Sequence, residues 1–136
     1  MTVRLIKLAV IYLVLGMTLG IVMGISHNFQ FRSVHAHVNL LGWASLALAA
    51  MIFHLFPATA QTRLATVWFW AYNVSLPAGL VTLALVMAGY SWAMPGLIVS
   101  QLGIWASGVL FAANVLWALR GSSTAPATII RSPAAV

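Results

Sequence analysis

The residues of this chain best suited to chemistry are two histidines, His35 and His37, in the run Arg32-Ser-Val-His-Ala-His-Val-Asn-Leu-Leu-Gly-Trp43. An imidazole near neutral pH moves a proton or binds a transition metal through a ring nitrogen. On a helix each residue turns by about 100°, so positions two apart point about 200° from each other, onto nearly opposite faces. The pair cannot chelate one metal ion. It suits two sites, one on each flank of its helix. The plainer role, interfacial histidines bonded to water and loop backbone, fits a single histidine better than this pair with Arg32 one turn before it.

Arg32 has two readings: a partner for the carboxylates of a bound heme, whose anionic edge prefers the aqueous interface, or an ordinary loop charge. His54 lies 17 residues beyond His37, hence roughly 25 Å along a helix rising 1.5 Å per residue. One iron cannot take both as ligands within one protomer. His54 is read first as a helix-end histidine and second as a ligand at another metal site; His27 reads as a solvated loop residue.

The rest of the composition restricts what these groups can work with. The 136 residues contain no Asp, no Glu and no Cys, and all six charged side chains are Lys or Arg. Carboxylate dyads, acidic metal sites, disulfides, iron–sulfur ligation and covalent heme attachment are thereby excluded from what the chain does alone. The basic residues stand singly between apolar runs and form no stripe for nucleic acid. Redox chemistry would need a bound cofactor.

The elements that must position the histidines are membrane helices. Hydrophobic residues make up 63% of the chain, and a spanning helix needs about 20 predominantly apolar residues. Four stretches qualify, at about 5–25, 34–56, 64–89 and 95–119, giving an all-α four-helix integral membrane domain over 1–119, with a flexible tail over 120–136. The first stretch follows Arg4 and Lys7 but lacks a small-x-small cleavage pattern, so it is read as a helix rather than a leader. With four spans, Arg4, Lys7, Arg63, Arg120 and Arg131 share one side and Arg32 stands on the other. The positive-inside rule then places both termini in the cytoplasm of a bacterial-type inner membrane, with the histidine pair near the outer surface.

Several single residues carry secondary expectations. Gly16, Gly20 and Gly24 form a smooth strip for a neighbouring helix, Pro77 is expected to kink the third span, and Gln101 and Asn114 are expected to bond between helices. Trp68, Trp70 and Trp117 are placed in an inner aromatic belt, with Tyr90 and Trp92 in an outer one.

The run His37-Val-Asn-Leu-Leu-Gly-Trp, after a glycine-bearing first helix and before His54-Leu-Phe-Pro57, resembles the second helix of the heme-copper oxidase superfamily, nearest its nitric oxide reductase branch. The resemblance implies that His37 ligates a low-spin heme. His35-Ala-His37 also looks like the family's tenth helix, where a His-x-His motif serves two hemes, which extends a ligand role to His35. Family subunits have twelve core helices in three arcs of four. A chain resembling one arc, roughly 5–119, is therefore expected to form a homotrimer of twelve helices. The chain departs from the family in lacking the further copper-binding histidines, the histidine–tyrosine pair and the proton-channel carboxylates. Oxygen or nitric oxide reduction by this chain alone is not expected.

Geometry and resemblance together lead to one expectation: heme b at each protomer boundary, held by His35 of one chain and His37 of the next, with Arg32 on the propionates and electron transfer with a redox partner protein as the function. Two alternatives stay open. One is a cofactor-free accessory or assembly subunit; the other is a gas-binding or gas-reducing heme protein with an open iron position, or with a metal near His54.

Overall fold

The computed structural model describes residues 1–120. Four helices carry the chain: α1, Thr2–Ser26; α2, Arg32–Leu55; α3, Arg63–Met87; and α4, Met94–Leu119. Each is long and apolar enough to cross a membrane, and there is no strand among the described residues. Apart from Arg120, the expected tail lies outside the described residues, as does Arg131.

The helix ends differ by a few residues from the hydropathic limits, because backbone geometry sets them rather than apolar content. The helix α1 begins at Thr2 and so takes in Arg4 and Lys7. Pro57 closes α2 and opens a single turn, Pro57–Ala60. The helix α3 stops at Met87, where Gly89 adopts a left-handed φ of 96° and the Gly89 and Tyr90 amides donate back to the carbonyls of Val86 and Leu85, a glycine-dependent stop. It runs unbroken through Pro77, which lies on the exposed side.

Within lipid, helix association depends on close packing and interhelical hydrogen bonds rather than on apolar burial, since lipid tails are as apolar as leucine. The contacts follow that logic. A Cβ added at Gly16 would meet the Asn39 side chain at 2.5 Å, one at Gly20 would meet the His35 ring at 2.9 Å, and one at Gly42 would meet Tyr12 at 2.5 Å. These three glycines bring α1 and α2 together. Gly24 has nothing within 4 Å, so the strip expected on α1 packs at two of its three positions. The α3–α4 pair uses the same device at Gly79, Gly96 and Gly103, against Ile104, Thr82 and Ser75.

An aromatic cluster joins the two pairs. Phe53 on α2 meets Trp68 edge-on at 5.5 Å and Phe111 at 5.8 Å, and Trp68 lies 4.8 Å from Phe111. Trp68 is thus a core residue, 3% exposed, and not part of an interfacial belt. It stands two positions from Trp70, so it faces the opposite side of α3; Trp70 is the one that points outward.

Asn114 ties the far end of α4 to the connection between α2 and α3. Its amide donates to the Thr59 carbonyl at 2.8 Å and accepts from the Thr62 hydroxyl, which itself caps α3 by accepting from Ala65 N at 2.9 Å. Both bonds reach a loop rather than the middle of a neighbouring helix. Asn114→Ala is expected to cost about 1–2 kcal/mol. Thermal unfolding in detergent would check this, with half-buried Gln101→Ala as a variant expected to shift the midpoint less.

Candidate functional site

Helix α2 is not one regular helix. Arg32–His37 is α-helical, Val38–Ala44 forms a π-helical segment, and Ser45–Leu55 returns to α. A π turn widens the helix and is costly unless its carbonyls find good donors; such turns concentrate at functional sites. Here side chains provide those donors. Ser45 Oγ donates to Leu40 O at 2.8 Å, and Tyr72 Oη, from α3, donates to Leu41 O at 3.0 Å. Gly42, buried against Tyr12, lets the wide segment sit against α1.

The two histidines occupy the regular turn immediately before this segment. His35 Nδ1 lies 2.9 Å from the Gly16 carbonyl on α1, with its ring laid over Gly20. A carbonyl only accepts, so Nδ1 carries a proton and is the donor in this bond. The Asn39 amide nitrogen is also 3.4 Å from that Nδ1, but a protonated nitrogen cannot accept from it. Asn39 donates instead to the His35 carbonyl at 2.9 Å. His37 repeats the pattern within its own helix, with Nδ1 2.7 Å from the Ser33 carbonyl. Both rings are half-buried, and in the neutral form of each, a proton on Nδ1 leaves the lone pair on Nε2.

The structure brings Arg32, His35 and His37 together on the first turns of α2, as their spacing requires, with Arg32 exposed. The His35 flank faces α1 of its own chain, because Gly16 and Gly20 leave room for the ring there. His54 is exposed at the opposite end of α2, lining an apolar depression with Ile6, Val10, Trp43 and Met51. His27 ends α1 with a left-handed φ of 51° and is exposed.

Among the described residues, no three or more His, Cys, Asp or Glu side chains come together as a metal-holding group. The chain matches no family model, no curated protein and no solved structure at a significant level. Two imidazoles on opposite flanks of one helix, each anchored to a backbone carbonyl through Nδ1, leave Nε2 as the ring nitrogen with which each could accept a proton or bind a metal.

Sequence reasoning did not find Asn39, Ser45 or Tyr72 as supports of this site. Asn39 did leave a signal, since it stands four residues after His35 and so shares its face. Tyr72 and Ser45 left none, because their role depends on a π segment that hydropathy does not register.

Proposed function

We propose that this protein binds heme b in the membrane and transfers electrons, with each heme held between protomers of a homotrimer by His35 of one chain and His37 of the next. The observation that carries this reading is the pair of Nδ1–carbonyl bonds. A backbone or carboxylate acceptor on one imidazole nitrogen is the usual means of fixing a metal-ligating tautomer and raising the basicity of the other nitrogen. The resemblance of the His37-Val-Asn-Leu-Leu-Gly run to the heme-copper oxidase superfamily supports it from the sequence.

When bound between two imidazoles, a b-type heme exchanges single electrons and leaves iron no open position. The chain's own contribution is placement. Gly16 O and Ser33 O aim the two rings, Gly20 gives His35 a flat wall, and Asn39 holds the His35 backbone where α turns to π. Arg32, at the aqueous end of α2 in a chain without Asp or Glu, would balance the propionates. The lysine and arginine distribution further supports both termini lying on the cytoplasmic side of a bacterial-type inner membrane, and a redox partner protein would exchange electrons with the trimer.

One observation favours a second reading. Because the His35 ring is already engaged by α1 of its own chain, His37 could be the sole protein ligand, leaving iron open to gas. Protein expressed with ample heme and purified in detergent is expected to show a reduced b-type spectrum at about one heme per chain, unshifted by carbon monoxide. A carbon monoxide shift would select the open-iron reading. A colourless protein would overturn both and leave a cofactor-free accessory subunit.

A further inference from the structure

A second feature lies at the other end of the bundle from the histidines. Between the first turns of α1 and the facing side of α3 are two adjoining depressions, of about 260 Å³ and 480 Å³, and both are lined by Arg4, Phe69 and Trp70. Met1 and Thr66 complete the first, and Lys7, Leu8 and Asn73 complete the second. Arg4 and Lys7 are three apart and therefore share a face, and both are exposed.

No acidic side chain offsets these two charges, since the chain has neither Asp nor Glu. Their position adds to the cost. Like charges at that spacing repel, and cations in the first turns of a helix oppose its dipole. No acidic residue occupies that first turn. The neighbourhood is also membrane-facing: Trp70 is 61% exposed, as an interfacial anchor would be, and Phe69 walls both depressions. Arg120, at the same end, instead lies over the Trp117 ring at 5.5 Å, and Arg63 lines neither depression.

We propose that the groove between α1 and α3 is a binding site for an anionic phospholipid, its phosphate headgroup clamped by Arg4 and Lys7 and its acyl chain lying along Trp70 and Leu8. Basic pockets between membrane helices suit such headgroups, each nearby Lys or Arg adding attraction that zwitterionic lipid does not receive. The Thr66 hydroxyl and the Asn73 amide supply polar groups beside the cations. The proposal is independent of heme binding and uses none of the same residues.

Native mass spectrometry of the full chain released from detergent micelles tests it, with phosphatidylglycerol and phosphatidylcholine offered in equal amounts. The wild-type protein is expected to retain phosphatidylglycerol preferentially. Arg4→Gln/Lys7→Gln should weaken that retention by about tenfold or more, while Arg63→Gln/Arg120→Gln should leave it near the wild-type level. The charge-preserving exchange Arg4→Lys/Lys7→Arg should keep the preference, which separates a lost site from a misfolded variant. Equal retention of the two lipids by the wild-type protein would overturn the proposal. So would displacement of phosphatidylglycerol by millimolar inorganic phosphate, since that result would mark a site for free anions.

Discussion

His37→Ala is expected to reduce the heme content of the purified protein to background. His37 is the residue that both arguments for heme select, one through its Nδ1 bond to Ser33 O and the other through the motif that follows it. Its ring makes no interhelical hydrogen bond among those described, so removing it takes away Nε2 while leaving the α1–α2 contact in place. The variant should remain folded and colourless, read as loss of the reduced visible bands with a thermal midpoint matching that of heme-free wild-type protein. In the bis-histidine trimer, His35→Ala also removes heme, but it should lower the midpoint below that of the heme-free wild type, because the Gly16 bond is lost. Heme retained by His35→Ala and lost by His37→Ala would point to ligation by His37 alone. Retention by both would remove the histidine pair from the site.

The second large effect concerns packing. Gly16→Leu is expected to destabilise the protein by at least about 1–3 kcal/mol, since even its first side-chain carbon would stand 2.5 Å from Asn39. Either the Asn39 side chain or α1 must then shift: displacing Asn39 breaks its bond to the His35 carbonyl, and displacing α1 moves the Gly16 carbonyl that orients His35. Gly24→Leu adds the same bulk to the same helix where nothing lies within 4 Å, and should change stability by less than about 0.5 kcal/mol. Thermal unfolding of the two variants in one detergent compares them directly. Equal midpoints would mean that the α1–α2 contact does not depend on glycine at position 16.

These two residues also show how far the sequence could be read. The four spans were legible because about 20 successive apolar residues admit few other structures in a bilayer. The placing of His35 and His37 on opposite flanks was legible because that turn of α2 is regular. Which glycines of α1 form contacts was not, since Gly16, Gly20 and Gly24 have the same spacing and only the course of α2 separates them. Trp68 and Trp70 are alike in type and depth, and only their azimuth sends one into the core and the other outward. The partner of His35 was hidden for a related reason: the free space that admits its ring comes from missing side chains on another helix.

The π segment at Val38–Ala44 has a consequence for how α2 is aimed. A π turn takes in more residues than an α turn for the same hydrogen-bonded advance, so it shifts the angular phase between the stretches above and below it. The outer stretch takes its orientation from α1, through Gly16 and Gly20 with His35 and Asn39. The inner stretch takes its orientation from the aromatic cluster, through Phe53 with Trp68 and Phe111. A strictly regular helix would force one azimuth to follow from the other. With the widened turn between them, braced by Tyr72 and Ser45, the inner half can remain keyed to the core while the outer half presents its imidazoles in a direction of its own.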